Sequence, residues 1–300
     1  MILFLATACG KKGDLTLRAF EKPAAAGNIS ALHRDNEINI FWQYPAHEMQ
    51  RIKGCQVMRS DDGGIIFKEL AFLNPDKLLY VDKNFAVGRE YYYKIRCLSV
   101  RNIYSDDSAV IKVIPLPLPQ KPEDISYKVE NDSIKIHWRQ AADLKYNIYK
   151  SFQKGDYSIS PLNNEPLSEN YFNDKIETGK TVYYTVRALL GTEIRDEGPP
   201  SEELEVNPAS FVPSRPSGLK HIPVEKASYL LWKENPEAWV KGYRVYRKRL
   251  IDDNFVLIGE PAAPVFADAE PLASKTVYYI TAVGPVKESL PSEMLEAAHR

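Results

Sequence analysis

The sequence predicts an all-β chain of three tandem β-sandwich domains joined by proline-rich linkers. Three observations carry the prediction. Tryptophan recurs at Trp42, Trp138 and Trp232, a period of about 95 residues. Each of these tryptophans closes a short strand, Ile38-Asn39-Ile40-Phe41-Trp42, Ile134-Lys135-Ile136-His137-Trp138 and Tyr229-Leu230-Leu231-Trp232. Alternation of period 2 puts Ile38, Ile40 and Trp42 on one face, and Ile134, Ile136 and Trp138 on the matching face; the third strand keeps only Leu230 and Trp232 in that register.

The remaining elements repeat in the same order. A second strand follows each tryptophan: Cys55-Gln56-Val57-Met58-Arg59, Tyr146-Asn147-Ile148-Tyr149-Lys150 and Tyr243-Arg244-Val245-Tyr246-Arg247. A turn with an aspartate comes next, at Asp82, Asp174 and Asp268. The longest alternating strand then presents Tyr91, Tyr93, Ile95 and Cys97 on one face. Its counterparts are Val182, Tyr184, Val186 and Ala188, then Thr276, Tyr278, Ile280 and Ala282. The second and third units close with Pro200-Ser201-Glu202 and Pro291-Ser292-Glu293 ahead of a last strand. Short strands broken by frequent turn signals mark a sandwich. No helical periodicity competes, and a period of about 95 residues is too long for propeller blades or solenoid repeats, which run about 20–50 residues.

In this order of motifs the chain resembles the fibronectin type III family over roughly residues 23–300. The resemblance implies three immunoglobulin-like (fibronectin type III) sandwiches with the tryptophan in each core. It also implies a corner bond from the first tyrosine of the sixth strand. Tyr91 holds that position, whereas Val182 and Thr276 stand there in the other units and cannot make the bond. The family topology sets Cys55 and Cys97 on neighbouring third and sixth strands, facing inward, where the other units carry Tyr146/Ala188 and Tyr243/Ala282. Two readings stay open for this pair: a disulfide, which an exported compartment permits, or two buried thiols acting as small apolar fillers.

The organisation expected is a tether over 1–22 and domains over 23–116, 117–209 and 210–300. Pro115, Pro117, Pro119 and Pro122 favour a stiff extended spacer at the first junction, and the second, from Asn207 to Pro216, reads as similar but looser. Jointed beads follow from that reading. At the N-terminus, the apolar residues 2–8 precede Cys9-Gly10-Lys11-Lys12-Gly13-Asp14, which resembles a bacterial lipoprotein signal with Cys9 as the lipidated residue. No charged n-region precedes the apolar stretch. Either the true start lies upstream of Met1, or these residues are a chain end with an incidental cysteine. As a lipoprotein the chain is expected on the bilayer of a bacterial cell envelope, and Gly10 after the cysteine favours the outer membrane by the same resemblance.

Composition narrows the partners. The 39 Lys plus Arg nearly balance the 40 Asp plus Glu, which gives no electrostatic reason to expect nucleic acid. No run of about 18 apolar residues is present to cross a bilayer as a helix. His33, His47, His137, His221 and His299 are scattered without metal-ligand spacing, so no metal or cofactor is expected and solvated surface is the ordinary reading for them. Recurrence of Asp82, Asp174 and Asp268 at one turn argues for turn chemistry, not a catalytic carboxylate. Ser201 and Ser292 sit in turns without a nucleophile elbow and are expected to cap them. Asp61-Asp62-Gly63-Gly64 reads as a hairpin loop and lacks the alternating oxygens of a calcium loop.

Candidate binding residues are loop aromatics. Trp239, between the second and third strands of its unit, and Tyr104, after Cys97, suit sugar stacking or a protein hot spot; either could instead fold under its loop. The expectation is a non-enzymatic, membrane-anchored binding or spacer lipoprotein acting through protein or glycan contacts, with no segment left for catalysis after the third unit. A carbohydrate-binding accessory module beside an extracellular hydrolase is the alternative. An enzyme with a site between domains is the least supported reading, because it needs converging perturbed groups.

Overall fold

A computed structural model of the chain describes residues 22–191, 194–224, 227–270 and 275–297. In the first repeat the strands are β1 (Gly27–Arg34), β2 (Glu37–Gln43), β3 (Ile52–Ser60), β4 (Lys68–Leu73), β5 (Leu79–Asp82), β6 (Tyr91–Ser99) and β7 (Ile111–Val113). The second holds β8 (Ser126–Val129), β9 (Ser133–His137), β10 (Lys145–Ser151), β11 (Tyr171–Lys175), β12 (Val182–Gly191), β13 (Arg195–Pro200) and β14 (Leu204–Val206). The third holds β15 (Ser217–Val224), β16 (Ala227–Lys233), β17 (Gly242–Arg249), β18 (Val256–Gly259), β19 (Val265–Asp268), β20 (Thr276–Val283) and β21 (Leu295–Ala297).

Compactness cuts this chain differently from the repeats. One unit takes in the described residues up to Pro119 together with Leu189–Pro199; the other takes in Gln120–Ala188 and the described residues from Pro200 onward. The segment 189–199 belongs by sequence to the second repeat, yet it packs with the first.

The first unit is a two-layer sandwich. One sheet runs β4-β3-β6-β7, and the other runs β13-β1-β2-β5, with β13 parallel to β1 and the remaining neighbours antiparallel. The alternation read from the sequence sets what meets between the layers. Ile38, Ile40 and Trp42 of β2 face Cys55 and Val57 of β3 and Tyr91, Tyr93, Ile95 and Cys97 of β6, all buried in one cluster. Burying each large apolar side chain there stabilises the fold by about 1.5–3 kcal/mol before its ordering entropy is charged against it.

In the second unit, β11-β9-β8 supplies one layer of the second repeat, and β10, β12 and β14 supply the other. Ile134, Ile136 and Trp138 pack with Val182, Tyr184, Val186 and Ala188. The third repeat pairs β15-β16-β19 with β18-β17-β20-β21 around Leu230, Trp232, Tyr278, Ile280 and Ala282. Every inward position expected from alternation is an inward position here.

The second junction is packed, not loose. Pro208–Ser210 forms a 3-10 turn whose N-cap, Asn207, accepts from the Ala209 amide. Phe211 then drops into the core of the second repeat.

Candidate functional site

Cys55 and Cys97 are register partners on β3 and β6, with Cα atoms 3.9 Å apart, and their sulfurs are bonded. Both are buried. Where the first repeat has this bridge, the other two have a tyrosine whose hydroxyl leaves the core: Tyr146 accepts from the Ala141 amide at 2.7 Å and Tyr243 from the Asn235 amide at 3.0 Å. The bridge closes a separation of 42 residues, for which chain entropy gives about 4 kcal/mol.

Trp239 is not a surface aromatic. It is 6% exposed and stands in the core cluster of the second repeat, although its own loop belongs to the third. Its ring lies 5.6 Å from that of Phe211, its Nε1 donates to the Glu130 carbonyl at 3.3 Å, and the neighbouring Ala238 amide donates to Asn131 O at 2.7 Å. The loop is braced from outside by Asn235, which donates to Ser214 O, and by Glu237, which accepts from the Ser214 amide. Sequence reasoning allowed for a loop aromatic folding under its loop. It did not point to the neighbouring repeat as the acceptor.

Tyr104 remains at the surface, 39% exposed. The Arg96 guanidinium sits 4.3 Å over its ring, and its hydroxyl accepts from Gln56, which also donates to Glu69. One ring face is therefore covered by a cation, a contact worth about 0.5–1 kcal/mol at an exposed site. Cys9 lies outside the described residues.

The three aspartates do more than shape turns. Asp82 Oδ1 accepts from the Asn84 amide, Asp174 Oδ1 from Lys175 and Asp268 Oδ1 from Glu270, as turn chemistry predicts. Their other oxygens accept from Tyr93, Tyr184 and Tyr278 at 2.8, 2.6 and 2.8 Å. A cation completes each group: Arg59, Lys150 and Arg247 approach within 2.7, 2.8 and 2.9 Å. Burial first, then the adjoining carboxylate, hold all three phenols well above their usual ionisation range. Such a group ties one sheet of a sandwich to the other, because the tyrosine and cation stand on one layer and the aspartate on the other. The signal was in the sequence, since Arg/Lys, Asp and Tyr recur together in all three units.

A second buried charge cluster was not visible in the sequence. β13 aligns with β1 so that His33 faces Asp196 and Arg34 faces Glu197. His33 Nδ1 lies 2.7 Å from Asp196 Oδ1, with side chains 3% and 0% exposed, and Arg34 Nη1 lies 3.5 Å from Glu197 Oε2. The Leu116 amide also donates to Asp196. Gly198 completes the fit, for a Cβ there would stand 2.3 Å from the Pro119 carbonyl. The expectation of a solvated His33 is thus overturned: a strand supplied from residues 195–200 covers it.

The other expectations about chemistry resolve into structure. Tyr91 accepts from the Ala86 amide at 2.8 Å, the corner bond that the resemblance implied. Ser201 and Ser292 accept from the amides of Val186 on β12 and Ile280 on β20, both at 3.0 Å. Asp62 accepts from Ser60 and from the Ile65 and Ile66 amides, holding a loop in which Gly63 and Gly64 have φ of 79° and 84°. Among the described residues no three His, Cys, Asp or Glu side chains converge as metal ligands, and no helix is long and apolar enough to cross a membrane.

No protein-family model matches the chain, and no curated protein does. Among solved structures, it is similar to the FN1–FN3 domains of chicken CNTN1, at 14% identity over 93% of this chain and 99% of that one, with a TM-score of 0.28. It is also similar to a two fibronectin type III domain segment of chicken tenascin, at 14% identity over 60% of this chain and 100% of that one, with a TM-score of 0.43.

Proposed function

We propose that the chain is a non-enzymatic binding and spacer lipoprotein of a bacterial cell envelope, held to the membrane through Cys9 and working through contacts of its sandwich domains. The observation that carries the spacer half is Trp239. A tryptophan of one repeat that completes the core of the repeat before it resists bending at that junction, because bending would expose the indole and strand its N–H. A stiff junction suits a protein that holds a contact surface at a set reach. The anchor half rests on the sequence around Cys9.

Two measurements test the two halves separately. Spin labels on exposed positions of the second and third repeats should give one narrow distance distribution, broadened by Trp239→Ala; a broad distribution in the unsubstituted protein rejects the spacer. Expression from the natural gene with its own upstream sequence, in a bacterium fed an alkyne fatty acid, should label the protein and leave Cys9→Ser unlabelled. An unlabelled wild type rejects the anchor.

The carbohydrate-module reading loses its leading residue, since Trp239 is buried. Tyr104 keeps it open as a second reading, with one ring face on Arg96 and the residue partly exposed. Glycan-array binding that disappears in Tyr104→Ala would favour it.

A further inference from the structure

One end of the first repeat gathers cations that the fold leaves unmatched. Arg59 on β3 and Lys68 on β4 are register partners, two like charges directly across an antiparallel pair, which destabilises a sheet. The third repeat avoids the clash by setting Val256 across from Arg247. Arg59 is matched from within: Asp82 and Asp61 hold its guanidinium at 2.7 and 2.8 Å, and it lies 4.8 Å over the Tyr91 ring. Arg89 stands 5.9 Å over the same ring. Lys68 and Arg89 are exposed, and among the described residues neither has an ion-pair partner. All three cations line one hollow of about 380 Å³, within the usual size of a small-ligand site. Leu70 and Ile66 form its apolar side. Ile66 and its neighbour Ile65 are 61% and 81% exposed, yet their amides donate to the Asp62 carboxylate, which pins the loop. The core gains nothing from isoleucines held in solvent.

We infer that the hollow binds a carboxylate carried on an aliphatic body, with Lys68 and Arg89 on the charge and Ile66 and Leu70 on the hydrocarbon. Three features select this chemistry. Asp61 and Asp62 stand at the same hollow and repel a phosphate or a polyanion, so the two free cations suit a single negative charge. No aromatic ring lines the hollow to stack on a sugar. Arg59 and the Asp62 loop are fixed before a ligand arrives, so little ordering is lost on binding. A free branched-chain acid carries these groups, and so does the end of a polypeptide whose last residue is branched and aliphatic. Either source would give the binding half of the proposed function its partner chemistry, and failure here leaves the spacer and the anchor as they stand.

Amide chemical shifts of the full chain, carrying Cys9→Ser and titrated near neutral pH, test this. The probes are 4-methylpentanoate, N-acetyl-leucine and a pentapeptide ending in leucine, each compared with its carboxamide. Saturable shifts are expected at 65–70 and at Arg89, with dissociation constants of about 1 mM or below for the acids and about tenfold weaker binding of the amides. A pentapeptide that binds about tenfold tighter than N-acetyl-leucine identifies a chain end as the ligand, whereas equal affinities identify the free acid. Lys68→Ala with Arg89→Ala changes two exposed side chains and should erase the preference for acid over amide. Lys53→Ala, at the other end of β3, should preserve it. The inference is overturned if acid and amide bind alike, if no shift at 65–70 saturates below about 20 mM, or if the double variant keeps the preference. Tighter binding of tetragalacturonate at the same amides would assign the cations to an acidic glycan and overturn it too.

Discussion

The indole nitrogen of Trp239 donates to the main-chain carbonyl of Glu130, a residue 109 positions earlier. The same side chain packs on Phe211 and helps to close the core of a repeat to which it does not belong. Removing it should cost about 3–5 kcal/mol, the range for deleting a buried tryptophan. The loss should fall on the second repeat. In Trp239→Ala, denaturant unfolding should show an early step, with Trp138 becoming solvent-exposed before Trp232. A single transition at the wild-type midpoint would mean that the clasp carries no stability.

Reduction provides a second test, confined to the first repeat. The Cys55–Cys97 bridge lies in a core where the other repeats make do with Tyr–Ala pairs, so the fold itself does not depend on it. Cys55→Ala with Cys97→Ala should destabilise the first repeat by about 2–4 kcal/mol, and calorimetry should show one component moving to lower temperature while the rest stays fixed. A reductant should reproduce the shift in the wild type and do nothing in the double variant.

What could be read from the sequence, and what could not, follows from the range of each signal. Ile38, Ile40 and Trp42, or Tyr278, Ile280 and Ala282, announce their burial through alternation with their immediate neighbours, because a strand writes its two faces into a period of 2. The Tyr–Asp–cation groups lay at intermediate range. Asp268 and Tyr278 are ten residues apart, and a cation, an aspartate and a tyrosine recur in that order in all three repeats. Trp239 and His33 had no such trace. A lone loop aromatic has no period, and the partner of His33 stands 163 residues away in a run, Arg195-Asp196-Glu197, whose composition suggests solvent. Contacts between repeats depend on packing that no local pattern records.

Alkaline titration follows from the buried phenols. Burial and the aspartates raise Tyr93, Tyr184 and Tyr278 in the folded state, and burial followed by Glu48 pushes Tyr44 up to about 12. A raised folded-state value means that the native protein keeps protons which the unfolded chain releases above its ordinary value of about 10. The stabilisation is therefore complete below pH about 10 and is lost as pH rises through the folded-state values. Absorbance near 295 nm should reveal a set of tyrosines that ionise only together with unfolding, and Tyr278→Phe should remove one of them. The same variant should cost about 1.5–3 kcal/mol near neutral pH, the range for a hydrogen bond to a charged group.

The pairing of β13 with β1 yields the last prediction. Asp196 accepts from His33 and from the Leu116 amide while fully buried, so it fixes two separate chain segments at once. Asp196→Ala leaves both donors without that acceptor in a place that water does not reach, and losing the acceptor of a buried donor costs about 1–3 kcal/mol. The cost should appear locally. Amides of 195–198 and of Leu32 to Arg34 should exchange with solvent much faster in the variant, while those of β3 and β6 keep their protection. His33→Phe makes the reciprocal change: it removes the donor and leaves the Asp196 carboxylate buried, so it should loosen the same amides. If amide exchange at 195–198 is as slow in Asp196→Ala as in the wild type, the strand is held by its backbone ladder alone and the side-chain pair is incidental.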